Sequence, residues 1–333
     1  MQSNRAGLAG PVGDHVPAPR WLSVVTSAAL ASAAALCVWA LVEMVRAPED
    51  LVLTHVVDDA YYYVAVAEDL AEGRAPSFDD GLSVTTGFHP GFAFALAGLY
   101  RLLPDLNAWG QTRALIALSA AFHLLTAYAL LILLRRLVRP TIAALAVALW
   151  LINPVTLSVL WEGVESGLYG FAIALVLLAL STILLRDSAD SDAAYREWLF
   201  AGLALGLAVN VRSDAIVIAL IAAVAALSLR PRSGRRWKQV ALMTGVAALT
   251  FVPWLVYSYS LTGHLAQDSG TMKQLWREVK LAGAGLPGTV TFSLILMRRY
   301  LESAAAAMPG FDVLAALGLG VALAGRFNRL WHD

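Results

Sequence analysis

The sequence predicts an all-α, polytopic membrane protein with about eight transmembrane helices and an outer loop that bears surface helices. Hydrophobic residues make up 59% of the 333-residue chain and charged residues only 14%, whereas soluble proteins carry roughly a quarter. Apolar runs recur along the whole chain, and a helix needs about 20 apolar residues to cross a bilayer. Basic clusters between the runs favour one orientation in the membrane.

The predicted spans follow one another with polar segments between them. The first apolar run exceeds the roughly 7–15 residues of a signal-peptide core, so we expect an uncleaved anchor behind a cytoplasmic tail at 1–20. About seven helices within 21–258 form the membrane core, followed by an outer loop at 259–312 and by the last helix with a short tail at 313–333. The spans cover residues 21–45, 114–134, 141–160, 167–185, 198–211, 214–229, 239–258 and 313–325.

The short apolar segment 90–103 decides the topology. If it does not cross, the basic clusters at 135–139 and 230–238 lie on the same side as the N-terminus, which is the positive-inside pattern. We therefore predict a surface or re-entrant helix within an outer loop that covers residues 46–113. The N-terminus is then cytoplasmic, and the polar motifs lie on the extracytoplasmic face of the plasma membrane.

Composition and missing motifs exclude several classes of protein. The single cysteine, Cys37, lies in an apolar run, so neither a disulfide framework nor a cysteine-based metal site is possible. The formal net charge is zero, which gives no basic field for nucleic acid. The sequence has no Walker loop, dinucleotide-binding glycine motif, zinc spacing or nucleophile elbow.

The segment VVDDAYYYVAVAEDLAEG, residues 56–73, places Asp58 and Asp59 ahead of three tyrosines. Its apolar residues recur at helical spacing, and Gly73 can end the helix. One aspartate could simply cap this helix. Two adjacent acids in an oily chain favour a functional role.

Two further acidic or basic motifs lie at the ends of predicted spans. WEGVESGLYG, residues 161–170, holds Glu162 and Glu165 on one helical face, and the alternative is that both are ordinary loop acids. Arg212 and Asp214 interrupt a long apolar stretch, where a charge at membrane depth costs about 2.5–3.5 kcal/mol. Either the two residues pair across a turn, or Arg212 holds an anionic group.

The remaining candidates are polar residues near the predicted outer surface. His89 precedes Pro90 where the outer loop re-enters the membrane, and His264 and Lys273 lie in the last outer loop. Each of them is a weak signal when taken alone.

Together these motifs resemble the GT-C superfamily of polyprenyl-phosphate-dependent glycosyltransferases, over roughly residues 40–275. The superfamily includes oligosaccharyltransferase catalytic subunits, protein O-mannosyltransferases and arabinofuranosyltransferases. The acidic segment of the superfamily's first outer loop is similar to DDAYYYVAVAEDLAEG. The segment that leads into its surface helix is similar to SVTTGFHP, and its second outer loop is similar to WEGVESGLY. VRSDA and SGTMK are similar to segments near the lipid phosphate. Relatives usually continue beyond the point that corresponds to Asp333, so we expect a truncated or minimal member.

The resemblance implies a glycosyltransferase that moves a hexosyl or pentosyl group from a polyprenyl-phosphate donor to a hydroxyl of a glycan, lipid or protein. It makes Asp59 the principal acid, with Asp58 and Glu165 as further catalytic residues. The substrate-binding residues implied in addition are Arg212, Lys273, His89, His264 and Asp214. Asp59 could act as a general base, or Asp59 and Glu165 could hold a divalent cation such as Mg²⁺ or Mn²⁺; the sequence leaves both open.

Two alternatives do not require sugar transfer. One is a transporter or flippase of lipid-linked sugars, and the other is an inactive relative that only binds them. A transporter needs polar groups near the bilayer midplane, often in related repeats. The sequence shows no repeat and gathers its polar residues at predicted outer ends, which favours surface chemistry.

Overall fold

The computed structural model describes residues 19–79, 81–185, 191–228 and 234–263. This part of the chain is helical, with one isolated bridge between Ser77 and Val84. The helices are α1 Arg20–Arg46, α2 Glu49–His55, α3 Asp58–Glu72, α4 Pro90–Leu102, α5 Ala108–Leu137, α6 Pro140–Leu151, α7 Pro154–Ser158, α8 Ser166–Leu185, α9 Ser191–Val211, α10 Ala215–Ser228 and α11 Gly234–Thr262.

The long helices form a bundle of neighbouring pairs. α1 packs on α6, α5 on α6 and α8, α8 on α9, and α9 on α11, while α10 contacts α9 and α11. Among the described residues, four helices are long and apolar enough to cross a membrane, α1, α5, α8 and α11, and α6 and α10 are apolar but shorter. The predicted all-α membrane architecture is confirmed. The exact number of spans stays a prediction, and the span at 313–325 lies outside the described residues.

One predicted span is interrupted. We expected 141–160 to be a single helix, but α6 ends at Leu151 and a short α7 begins at Pro154. Proline has no amide hydrogen and disfavours helical geometry in the residue before it. Asn153 is accordingly extended, and its side chain accepts hydrogen bonds from the amides of Val155 and Thr156 as the N-cap of α7.

Glycines bring some of these helices unusually close. A Cβ at Gly202 would lie 2.6 Å from the carbonyl oxygen of Met243, so only glycine allows the observed contact between α9 and α11. A Cβ at Gly167 would lie 2.4 Å from the carbonyl oxygen of Ser119, which holds the start of α8 against α5. Small residues at helix interfaces are typical of membrane bundles.

Helices α3 and α4 form a parallel pair over one end of α5 and α9. The ring of Tyr63 near the start of α3 meets Phe92 near the start of α4, with centroids 5.0 Å apart. At the other ends, the Arg101 guanidinium donates to the carbonyl oxygens of Leu70 and Ala71. Because α4 is only about 20 Å long, it is too short for a hydrocarbon core of roughly 30 Å. This length agrees with a helix that does not cross.

Cysteine labelling in intact cells tests whether α4 crosses. With the buried Cys37 replaced by alanine, we expect Ala75→Cys and Ala108→Cys both to react with a membrane-impermeant thiol reagent. Both positions are exposed and flank α4. Arg135→Cys, near the far end of α5, is the control and should react only after permeabilisation. Reaction at 75 together with protection at 108 would show that α4 spans the membrane.

Candidate active site

The start of α3 presents two exposed carboxylates. The helix begins at Asp58, and Val57 occupies the N-cap position, so neither aspartate is the N-cap. The amide of Val57 donates to the carbonyl oxygen of Glu162 at 3.3 Å, which joins the start of α3 to the segment that precedes α8. Carboxylates in the first turn stabilise a helix through its dipole by about 0.3–1 kcal/mol each, whatever else they do.

The two aspartates differ in what surrounds them. One Asp58 carboxylate oxygen accepts a hydrogen bond from the Asp59 amide at 3.0 Å. Within the described part of the chain, the Asp59 carboxylate has no hydrogen bond or ion pair. Asp59 shares a helical face with Tyr63, four residues later, whereas Asp58 shares a face with Tyr62. Tyr63 is buried and Tyr62 is 49% exposed, so Asp59 lies above the buried side of α3.

Tyr63 links α3 to the segment before α8. Its phenol donates a hydrogen bond to Glu165 Oε2 at 2.9 Å, between residues 102 positions apart in the chain. Burial, followed by the charge of Glu165 and this hydrogen bond, raises the pKa of Tyr63 far above its usual range. The phenol therefore stays protonated and remains a hydrogen-bond donor at any physiological pH.

Glu165 is the buried carboxylate at the centre of this cluster, with only 7% of the residue exposed. Its Oε1 accepts a hydrogen bond from Arg212 Nη1 at 2.9 Å, and His89 Nε2 lies 3.6 Å from the same oxygen. A buried charge is tolerated only when it is paired and hydrogen-bonded. Glu165 meets this requirement because three groups surround it: Tyr63 of α3, His89 before α4, and Arg212 in the turn between α9 and α10.

Arg212 lies between two carboxylates. Its Nε and Nη2 donate to the Asp214 carboxylate at 3.2–3.3 Å, and its Cζ lies 5.5 Å from the centre of the Tyr169 ring. Burial lowers the pKa of Arg212, but hydrogen bonding and charge from Asp214, followed by Glu165, raise it above its ordinary value. The side chain is 36% exposed, so a fixed cation reaches solvent at this point.

Close backbone packing positions the cluster. A Cβ at Gly91 would lie 3.0 Å from the backbone of Asn210 and Val211, which places the start of α4 against the end of α9. Gly163 has φ +72°, and a Cβ there would lie 2.9 Å from Leu115 of α5. The left-handed conformation of Gly163 lets the segment before α8 run close to α5.

The structure therefore brings Glu165, Arg212, Asp214 and His89 into one cluster, with Asp59 and Asp58 at the adjoining end of α3. Glu162 instead accepts a hydrogen bond from Ser158 at the end of α7. His264 and Lys273 lie outside the described residues, so their predicted roles stay predictions. Sequence reasoning missed Tyr63 and Tyr169, although each follows a candidate acid by four residues, which is the spacing of neighbours on a helix face.

A divalent cation shared by Asp59 and Glu165 would have to share the Glu165 carboxylate with groups that already bind it. Both Glu165 oxygens are engaged, one by Tyr63 and the other by Arg212. Among the described residues, no group of three or more histidine, cysteine, aspartate or glutamate side chains is placed to hold a metal ion. Arg212 is the cation paired with Glu165 among the described residues, and a metal at Asp59 and Glu165 stays a prediction.

A protein-family model matches the central part of this chain. The family model for dolichyl-phosphate-mannose-protein mannosyltransferases matches residues 89–257, a range that holds Glu165, Arg212 and the whole helical core from α4 to α10. The chain belongs to this family. The resemblance to GT-C glycosyltransferases is therefore confirmed. No curated protein sequence gives a match.

Solved structures give the same fold for this family member. The oligosaccharyltransferase of Archaeoglobus fulgidus, tethered with an acceptor peptide, is similar at a TM-score of 0.51 and 18% identity over 86% of this chain. The archaeal oligosaccharyltransferase AglB from the same organism, in complex with an inhibitory peptide and a dolichol-phosphate, gives 0.48 and 18% over 86%. The chain spans 38% of the length of either protein. The likeness at a TM-score of 0.51 shows the fold.

Removing the Tyr63 hydroxyl tests how strongly the cluster depends on it. We expect Tyr63→Phe to lower the free energy of unfolding by about 1–3 kcal/mol, because one Glu165 oxygen stays buried without a donor. Tyr62→Phe, at an exposed ring packed on Phe78, is the matched control and should change it by less than about 0.5 kcal/mol. Detergent-solubilised protein titrated with SDS and followed by circular dichroism measures both. Equal effects would contradict a specific role for the Tyr63–Glu165 bond.

Proposed function

We propose that the protein transfers a sugar from a polyprenyl-phosphate donor to an acceptor hydroxyl at the extracytoplasmic membrane face. The observation that carries the proposal is that the unengaged Asp59 carboxylate lies one helical turn before Tyr63, whose phenol binds the Glu165 that is paired with Arg212. Such a site offers a base and a cation at the same end of an apolar helix bundle. Membership of a mannosyltransferase family supports this reading.

Asp59 acts as the general base in this proposal. It takes the proton from the acceptor hydroxyl while the hydroxyl oxygen bonds to the anomeric carbon of the sugar. The bond from that carbon to the donor phosphate oxygen breaks, and its electron pair leaves with the phosphate. A base must be able to accept a hydrogen bond from the acceptor, and within the described residues no partner occupies the Asp59 carboxylate. Asp58 supports the same reaction from the neighbouring position.

Arg212 binds the donor phosphate and stabilises the charge that develops on it. A guanidinium has five N–H donors, and its bonds to Glu165 and Asp214 leave one N–H on each terminal nitrogen. Asp214 is 59% exposed and its bonds to Arg212 are long, so the phosphate can displace it. Charge-assisted bonds to a leaving phosphate lower the barrier because they strengthen as its charge grows.

Glu165 acts through Arg212 in this proposal and is a positioning residue. Its two oxygens accept hydrogen bonds from Tyr63 and Arg212, and only 7% of the residue is exposed, so it is less accessible to an acceptor than Asp59. It holds the guanidinium at a fixed place and keeps it charged, and Tyr63 fixes Glu165 in turn. His89 and the predicted contributions of His264 and Lys273 would complete the phosphate site.

The substrate class follows from the family and from the membrane location. A polyprenyl chain lies in the bilayer, where the apolar helices can contact it, and the phosphate then lies at the interface near Arg212. Dolichyl-phosphate mannose is the first donor to test, since the family is described by that donor and by a protein acceptor. A hydroxyl of a protein, glycan or lipid serves as acceptor in the proposal.

Replacing Asp59 by asparagine tests the base. Asparagine keeps the size and removes the basicity, so we expect normal folding apart from a helix-dipole loss of about 0.3–1 kcal/mol. Sugar transfer should fall about 100-fold or more. Asp58→Asn is the matched comparison: it should lose about the same helix-dipole stabilisation, because both aspartates lie in the first turn, but far less activity, because Asp58 has only a supporting role. Melting temperature and transfer rate are measured on the purified proteins. A stable and fully active Asp59→Asn variant would contradict the role.

Replacing Arg212 tests the phosphate contact. We expect Arg212→Ala to raise the donor KM about 10- to 100-fold, because a charge-assisted bond contributes roughly 1.5–3 kcal/mol. Arg135→Ala, an exposed arginine near the far end of α5, is the control and should leave KM unchanged. Because Arg212→Ala strands Glu165, Arg212→Lys serves as a second variant that keeps a charge there. Asp214→Asn should lower the donor KM by removing a competing carboxylate. Donor kinetics unchanged in all three site variants would rule out the contact.

A further inference from the structure

A cationic pocket of about 480 Å³ lies between α5, α8 and α9, well away from the candidate active site. It combines two arginines with a threonine, a glutamate and an apolar wall. These residues are Arg136, Arg196, Thr182, Glu197, Leu178 and Phe200. The three helices that form the pocket are neighbours in the bundle, so its residues are held by packed helices and not by a loop.

The pocket lies at the opposite end of the helices that carry the active-site cluster. Along α8, Thr182 lies about 24 Å from Ser166, which follows Glu165. Along α9, Arg196 lies about 22 Å from Val211, which precedes Arg212. These lengths approach the roughly 30 Å of a hydrocarbon core. If one end of the bundle is at the outer membrane surface, the pocket is at the inner one.

The charge of the pocket favours an anion. Arg136 and Arg196 come from different helices and converge on one cavity, whereas Glu197 contributes a single opposite charge. Arg136 donates a hydrogen bond to the Thr182 hydroxyl, which fixes its guanidinium at the pocket wall. The positive-inside pattern alone accounts for arginines in loops, but it does not account for two that share a cavity.

The apolar wall distinguishes a lipid from a free ion. Phe200 is 43% exposed and lies beside the arginines with Leu178. An acyl chain can cover these side chains, while inorganic phosphate gains nothing from them. Basic pockets between transmembrane helices on the cytoplasmic side are a known setting for acidic lipid head groups.

We propose that this pocket binds an anionic phospholipid of the inner leaflet. The phosphodiester lies between Arg136 and Arg196, and one acyl chain covers Phe200 and Leu178. The site does not take part in sugar transfer, and it is independent of the function proposed above. Its consequence is a preference for acidic lipid at one end of the bundle.

Binding can be measured on the full-length protein in detergent, with dioleoyl-phosphatidylglycerol as the probe. Native mass spectrometry counts bound lipids, and thermal unfolding reports stabilisation, since a ligand that binds only the folded state raises the melting temperature. The comparison set is wild type, Arg136→Gln/Arg196→Gln, and Arg135→Gln. Arg135 is an exposed neighbour that does not line the pocket, so its variant removes the same kind of charge nearby. Arg196→Gln alone replaces the double variant if the latter is not monodisperse.

The expected result is a rise in melting temperature with phosphatidylglycerol for wild type and Arg135→Gln, reduced by at least half in the pocket variant. Phosphatidylcholine and inorganic phosphate should give no comparable rise. The proposal is overturned if the pocket variant keeps the full rise, or if Arg135→Gln loses as much, which would indicate diffuse surface charge. It is also overturned if inorganic phosphate reproduces the effect, which would indicate a free-anion site.

Discussion

The ion pair between the buried Glu165 and the partly exposed Arg212 is the interaction on which the rest of the site depends. Glu165 is nearly inaccessible to water, and Arg212 and Tyr63 between them engage both of its oxygens. Three segments that are distant in sequence must meet for this to happen: α3, the segment before α8, and the turn after α9; His89, before α4, adds a fourth at 3.6 Å. If one segment moved, a charge would be left without its partner in a poorly solvated place. The cluster therefore fixes relative position more than it adds stability.

Close packing of the helix bundle holds the segments that carry Glu165 and Arg212. Gly167 and Gly202 let α8 and α9 approach their neighbours closely, and Asn210 donates hydrogen bonds to the carbonyl oxygens of Gly206 and Thr250, which ties α9 to α11 near the turn. Arg212 thus lies in a three-residue turn directly after a helix end that is tied to α11. Packed elements keep tighter geometry than free loops, which suits the proposed contact between this cation and a phosphate.

Much of the architecture could be predicted from composition and hydrophobic period, because a membrane helix carries its signal in about 20 consecutive residues. The break at Asn153 and Pro154 was missed since apolar content hid a local backbone restriction. Helix α2 was missed because seven residues are too few to show a period. The acids and Arg212 were selected as exceptions to an apolar pattern, but the Tyr63–Glu165 contact joins residues 102 apart. No local pattern can indicate such a contact, and a single sequence offers no covariation to reveal it.

The tyrosine and arginine on either side of Glu165 also determine how the site responds to acidity. The pKa of Tyr63 and the pKa of Arg212 are both shifted upward, the first by burial and the second by its carboxylate neighbours. Neither group loses its proton as the medium becomes mildly alkaline. The charge that these two groups contribute therefore stays constant over that range. A change in transfer rate between neutral and mildly alkaline solution would then report on the acceptor, the donor or other side chains, and not on the loss of the Arg212 cation.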